Sequence, residues 1–249
     1  RLHRALRLRE LLYHHRVAAV YLIIPALNEA KSLPHVFEAI EEAELEAEIV
    51  VIDDGSTDDT ARMATALGAR VVRHPFNMGY GAAIQTGYLY ALEHGADLLV
   101  QMDADGQHDP RQIPDMVEPV RSGECDLVIA SRFLEVTGYR MGWVRTAGRK
   151  LFEVLGRLAG LNVTDPTSGF QAMNAATLKL YVRDFFPHDY PDVDVLVTAS
   201  RHGLRVRECA SVMQPGLRAS RLHGGTRTFY YVYKMLVSMW AASSDRKRP

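Results

Sequence analysis

Apolar and polar positions along the first hundred residues switch repeatedly between period two or continuous runs and period 3.6. Residues 17–24 form an apolar run rich in β-branched residues and stopped by Pro25, which predicts a buried strand. Residues 31–46 carry Leu33, Val36, Phe37 and Ile40 at helical spacing. A second strand is predicted over 48–52, ending at Asp53-Asp54-Gly55. A helix follows over 58–67, with Ser56 or Thr57 as its cap. A third strand over 69–73, a helix over 79–94 closed by Gly95, and a fourth strand over 97–102 ending at Asp103 complete this half. Strand and helix alternate every ~25 residues, the signature of a parallel sheet with helices on both faces.

The second half is less regular. Helices are predicted over 112–121, 143–161, 175–182 and 193–202, strands over 126–130 and 205–209, and a turn over 165–169. The opening residues 1–16 are basic, with leucines at 2, 6, 8, 11 and 12, and read as a short amphipathic helix. The chain starts at Arg1 without Met, as a trimmed sequence would, and shows no signal-peptide pattern. Three units are expected: an N-terminal basic helix over 1–17, a catalytic domain over 18–215, and a basic glycine-containing loop with a C-terminal amphipathic helix over 216–249.

Composition narrows the function classes. With 249 residues, 47% of them hydrophobic, the chain can bury a sizeable core and is not a disordered tail. Cys125 and Cys209 are too few for a disulfide framework or a structural zinc site and are expected as buried hydrophobes. The net charge of −1 hides an asymmetry: residues 1–125 sum to −9 and residues 126–249 to +8. That suits a cation site in the first half and an anionic partner for the second. No nucleic-acid partner is expected. No run approaches the ~20 apolar residues of a membrane span. The segment 229–242 is short, aromatic and followed by Arg246, Lys247 and Arg248, which predicts an interfacial helix. Packing on the core or on a second subunit is its alternative.

Candidate chemistry collects at the predicted strand ends. In α/β sheets ligands sit beyond the carboxyl ends of the strands. Three of the four strands end in polar clusters, Asn28-Glu29, Asp53-Asp54 and Asp103-Ala104-Asp105. Acids at that edge are costly to desolvate without a partner. Asp103 and Asp105, alternate residues on an extended turn, can reach one hard divalent cation that shares substrate phosphates. Asp53 can accept from a ribose hydroxyl or a base N–H, and Asp54 or Ser56 can cap a helix. Asn77-Met78-Gly79-Tyr80-Gly81 opens a helix, where free N–H groups and small residues suit a phosphate. His108 follows the acidic pair as a ligand, a phosphate contact or neither.

Four stretches together resemble family 2 glycosyltransferases of the GT-A fold: residues 25–29 (PALNE), 51–58 (VIDDGSTD), 77–83 (NMGYGAA) and 102–108 (MDADGQH). Within that family the chain is similar to dolichol- and polyprenyl-phosphate glycosyltransferases. Residues 165–170 (DPTSGF) match their acceptor-side turn, and Arg221 with Gly224-Gly225-Thr226 resembles their late basic loop. Asp192 and Asp194 stand where such chains often carry Glu. The resemblance implies an α/β, Rossmann-like, mostly parallel sheet and inverting transfer from a nucleotide-diphosphate sugar to a polyprenyl phosphate. It implies that Pro25, Ala26, Asn28, Glu29, Asp53, Asp54, Asn77, Gly79, Gly81, Asp103, Ala104, Asp105 and Gln107 line the nucleotide sugar. Asp103 and Asp105 would hold Mg²⁺ or Mn²⁺. Arg132, Ser168, Arg207 and Arg221 are candidates for the acceptor phosphate, and Asp105, Arg132, Asp192 and Asp194 for catalysis. If the acceptor is a sugar hydroxyl, Asp192 or Asp194 becomes the base; both are alternatively caps of the helix near residue 193. A saccharide or small soluble acceptor, and a non-catalytic nucleotide-sugar binding subunit, are the rival readings. GDP-mannose, UDP-glucose and UDP-N-acetylglucosamine are all open as donors. The expected location is cytoplasmic and peripheral to the membrane. A homo-oligomer or a membrane-protein partner is also open.

Overall fold

The computed structural model describes residues 20–134, 150, 153–157, 160–189, 191–214 and 237. The expected helices at 1–17 and 216–249, and most of the one over 143–161, lie outside them. Residues 153–157 are helical.

The alternation read from the sequence is realised as β1 (Val20–Ala26), α1 (Leu33–Glu42), β2 (Ala47–Asp53), α2 (Thr60–Ala66), β3 (Arg70–Arg73), α3 (Tyr80–Glu93) and β4 (Leu98–Gln101). Then come a 3₁₀ turn (Pro110–Gln112), α4 (Ile113–Arg121), β5 (Leu127–Ser131), β6 (Gln171–Asn174), α5 (Ala175–Tyr181), α6 (Val193–Arg201) and β7 (Val206–Ala210). Among the described residues seven strands form one sheet, in the order β3-β2-β1-β4-β6-β5-β7. Every pair is parallel except those made by β6, which runs antiparallel to both β4 and β5.

Side-chain alternation divides the core into two layers. Tyr21 and Ile23 of β1 face a layer containing Ile84, Tyr88, Leu178 and Leu196, from α3, α5 and α6. Leu22 and Ile24 face the other, with Leu33, Phe37, Met116 and Val120 from α1 and α4. A sheet covered on both sides needs strands that are apolar throughout, and all seven residues of β1 are buried.

Two local expectations are corrected. Pro25 does not stop β1, which runs on to Ala26. β4 pairs with β1 only as far as Ile23, so by Pro25 one side of the strand has no ladder to lose. Ser56 and Thr57 do not cap α2: Asp59 occupies that position, and Ser56 Oγ instead accepts the N–H of Asn28 at 2.8 Å.

Register positions the candidate chemistry. Ala26 pairs with Asp53, and Ile23 with Gln101, so β1, β2 and β4 release their chains at one edge. β5 ends there at Ser131, and the antiparallel β6 begins there at Gln171, bringing the 165–169 turn to the same edge.

Candidate active site

Asp103 and Asp105 leave the end of β4 with both carboxylates set close together. Tyr80 Oη donates to Asp103 Oδ1 at 2.8 Å, and the N–H of Gln107 donates to Asp105 Oδ1 at 3.0 Å. Burial raises the pKa of each above the ordinary carboxylate range, and the charge of Asp103 raises that of Asp105 further. Arg132 and the Tyr80 hydroxyl act the other way on Asp103. Among the described residues no three His, Cys, Asp or Glu side chains converge as a metal cage. Two carboxylates that disfavour each other's charge suit a hard dication whose remaining ligands are phosphate oxygens and water. The donor set therefore fits Mg²⁺ or Mn²⁺ carried with a diphosphate.

His108 lies behind this pair, its ring stacked on Phe170 with centroids 4.7 Å apart. The backbone N–H of Asp103 donates to its Nδ1 at 3.1 Å, and Nε2 is 3.9 Å from Asp103 Oδ2. Burial pushes its pKa down to about 4, so the ring is neutral at physiological pH. It is a support for the acidic turn, with Nδ1 already occupied.

Asp53 is fully buried at the end of β2. Its Oδ1 accepts the N–H of Ser56 at 2.9 Å. Its Oδ2 has Arg73 Nε at 3.0 Å but no partner of hydrogen-bond geometry. The carboxylate is thus ion-paired to Arg73, with Oδ2 short of a hydrogen bond of good geometry.

Three other expectations for the donor side change. Asp54 has both carboxylate oxygens engaged within the chain. Its Oδ1 accepts from His74 Nδ1 and the N–H of Met78, both at 2.8 Å, and its Oδ2 accepts the N–H of Gly79 at 3.0 Å. It ties the end of β2 to the entrance of α3. That entrance is consequently not a free phosphate cradle: Asn77 Oδ1 also accepts from Gly79 at 3.0 Å, and the N–H of Ala82 donates to the His188 carbonyl at 2.9 Å. The glycines there admit backbone rather than ligand. A Cβ on Gly79 would meet the His188 carbonyl oxygen at 2.6 Å, and one on Gly81 the Pro187 oxygen at 2.0 Å. Asn28 sits at φ 55°, which Asn tolerates, and its Oδ1 accepts from the Thr57 N–H at 2.8 Å and hydroxyl at 3.1 Å. Glu29 is buried, its carboxylate accepting from Ser32 and its N–H donating to Thr60 Oγ1 at 2.8 Å. Asn28 and Glu29 thus clasp the β1 end to the β2 loop, and Pro25 and Ala26 form the buried floor.

On the opposite side Arg132 stands directly after β5. Its Nε and Nη2 bond Asp165 Oδ2 and Oδ1 at 2.6 and 2.7 Å, and Nη2 reaches Thr167 Oγ1 at 3.2 Å. Glu208 of β7 supports this turn, accepting from the N–H groups of Thr164 and Asp165. Ser168 is buried and its Oγ accepts the N–H of Phe170 at 3.4 Å, so it shapes the turn. Asp194 is buried in the first turn of α6, its Oδ1 accepting the N–H groups of Asp192 and Val195 at 3.2 and 3.0 Å. Asp192 stands near enough to Tyr80 for its charge to add to the upward push that burial and Asp103 give that phenol. Arg207 is not brought to the site. It pairs with Glu124, in the turn before β5, at the opposite edge of the sheet. Arg221 lies outside the described residues.

Sequence reasoning missed Tyr80, Gln101, Asp165 and Glu208 as site residues. Tyr80 and Asp165 stand in the 77–83 and 165–170 motifs; Gln101 and Glu208 carried no local signal, because their partners are far away in the chain.

The profile of Glycosyl transferase family 2 matches residues 21–181. The undecaprenyl-phosphate mannosyltransferase of Micrococcus luteus is 36% identical over 220 residues, covering 83% of this chain and 88% of its own. The UDP-N-acetylglucosamine–dolichyl-phosphate N-acetylglucosaminyltransferase of Methanococcus voltae is 29% identical, covering 76% and 83%. Among solved structures, glucosyl-3-phosphoglycerate synthase from Mycobacterium tuberculosis in complex with phosphoglyceric acid superimposes with a TM-score of 0.70 at 26% identity, covering 93% of this chain and 82% of that one. The chain belongs to glycosyl transferase family 2 and has its GT-A fold.

Proposed function

We propose that this protein transfers a sugar from a nucleotide-diphosphate sugar to a polyprenyl phosphate, with inversion and with the help of a divalent cation. The single observation that carries the reading is the pair Asp103 and Asp105 at the end of β4, Asp103 held by the Tyr80 hydroxyl, both pKa values raised by burial and that of Asp105 raised further by the charge of Asp103. Relatives that act on undecaprenyl and dolichyl phosphates support the acceptor class.

A bound Mg²⁺ or Mn²⁺ supplies positive charge for the departing diphosphate. Asp103 and Asp105 would hold it, and Asp53, at the end of β2 and ion-paired to Arg73, would stand on the nucleoside side. Asn28, Glu29 and Asp54 keep the β1 and β2 ends in register beneath it. An acceptor phosphate oxygen is anionic near neutral pH and needs no base. It attacks the anomeric carbon as the bond from that carbon to the diphosphate oxygen breaks, and a nucleoside diphosphate leaves. Positioning and charge neutralisation are then the main tasks. Arg132, oriented by Asp165 and close enough to lower the pKa of Asp103, would offer its positive charge to the acceptor phosphate.

A soluble acceptor is the second reading, favoured by the likeness to an enzyme solved with phosphoglyceric acid. In it, Asp192 or Asp194 would take a proton from the acceptor hydroxyl. Incubation with GDP-mannose, UDP-glucose and UDP-N-acetylglucosamine in turn, with and without short-chain polyprenyl phosphate, separates the two. Lipid-linked sugar appearing with one donor supports the first; transfer only to soluble acceptors supports the second. Among the described residues no helix is long and apolar enough to cross a membrane. Attachment at the cytoplasmic membrane face, through residues 216–249, is the corresponding proposal.

A further inference from the structure

Tyr80 is the first residue of α3, yet its hydroxyl reaches the end of β4. It donates to Asp103 Oδ1 at 2.8 Å and accepts from Gln101 Nε2 at 3.1 Å. Gln101 Oε1 in turn accepts from Tyr88 Oη. Gln101 and Tyr88 are almost wholly buried, and Tyr88 is packed edge-on against Phe186 with centroids 5.8 Å apart.

Donor and acceptor roles run one way along this chain. The Tyr88 proton goes to the amide oxygen, and the amide nitrogen donates to Tyr80. The Tyr80 proton is left for the carboxylate. A rigid aromatic layer thereby grips one oxygen of Asp103 and sets the plane of the carboxylate. The 165–169 turn closes over the same point. A Cβ on Gly169 would stand 2.9 Å from Tyr80 Oη, 3.3 Å from Asp103 Oδ2 and 3.6 Å from Gln101 Nε2. Only glycine leaves this pair undisturbed.

We propose that Tyr80 is a positioning residue that orients Asp103 for a divalent cation. The inference rests on the reading of Asp103 and Asp105 as the cation's ligands. Hydrogen-bond partners of ligating carboxylates fix ligand orientation, and their loss weakens metal binding about 10–100-fold.

The test is Mn²⁺ binding to the full chain, followed by paramagnetic resonance of the free ion, alone and with GDP or UDP. Wild type, Tyr80→Phe, Gly169→Ala and Asp105→Asn are compared, with melting temperatures measured in parallel. Tyr80→Phe is expected to weaken Mn²⁺ binding about tenfold while the protein stays folded with a slightly lower melting temperature, since the ring stays but the buried Gln101 Nε2 loses its acceptor. Gly169→Ala is expected to weaken it as well, by crowding the same pair. Tyr80→Phe binding Mn²⁺ like wild type, while Asp105→Asn does not, overturns the role of Tyr80 alone. Wild type failing to bind Mn²⁺ under every condition, or Asp105→Asn binding normally, overturns the cation reading and the role of Tyr80 with it.

Discussion

Arg132 and Asp165 form a two-pronged ion pair, Nε to Oδ2 at 2.6 Å and Nη2 to Oδ1 at 2.7 Å, with the carboxylate wholly buried and the guanidinium mostly so. A buried pair is most damaging when only one partner is removed, because a charge is then left without compensation. Asp165→Ala is expected to lower unfolding free energy by about 3–5 kcal/mol in a denaturant titration. The apolar double variant Arg132→Met with Asp165→Leu is expected to recover most of that stability while losing sugar transfer. Transfer surviving in the double variant would remove Arg132 from the acceptor site.

Gly81 tests the entrance of α3. In an exposed helix position Gly→Ala ordinarily stabilises by about 1 kcal/mol. Here the new Cβ would lie 2.0 Å from the Pro187 carbonyl oxygen. Gly81→Ala is therefore expected to destabilise, and thermal unfolding that shows a gain would contradict the packing described.

Asp126 gives a stability term with a definite sign in pH. Its carboxylate accepts from the Arg205 N–H at 2.8 Å, Arg205 Nε at 3.0 Å and Asn174 Nδ2 at 2.9 Å, joining β5 to the strands on either side. The Arg205 hydrogen bond is the largest of the effects that hold its pKa below the ordinary value. A depressed folded-state pKa contributes stability above the unfolded value of about 3.9 and loses it as pH falls through the folded value. Asp126→Asn is expected to be less stable at neutral pH, with a shallower acid limb. Denaturation midpoints measured from neutral pH to acid check this; identical limbs would refute it.

Membrane attachment is separable from chemistry. Flotation with anionic liposomes is expected to carry the protein at low salt, each basic residue near the surface adding about 1 kcal/mol. Deleting 216–249 should abolish flotation. No flotation of the intact chain at low salt would remove the interfacial helix from the account.

The middle of the sheet was legible because β1 is apolar and buried along its whole length and the helices carry clear faces, as Leu33, Val36, Phe37 and Ile40 do in α1. β6 was not: Gln171–Asn174 is four residues long and follows a turn directly, so no period can be read from it. The acidic strand ends were legible because α/β sheets place ligands there. What distinguishes Asp53 from Asp54 was not, since it depends on His74, Met78 and Gly79 closing around one carboxylate and Arg73 pairing with the other. In the sequence Arg132 directly follows a predicted strand, whereas Arg207 lies within one. Strand pairing adds that Arg207 faces Glu124 at the edge opposite the one where β5 ends.

The most direct measurement is sugar transfer, or donor hydrolysis, by metal-stripped protein before and after Mn²⁺ or Mg²⁺ is added back, in wild type and Asp105→Ala. Wild type should be silent when stripped and regain turnover with the ion, while Asp105→Ala stays folded and inactive. Full turnover by the stripped wild type, or by Asp105→Ala, would contradict the claim that these two aspartates act through a dication on the leaving diphosphate.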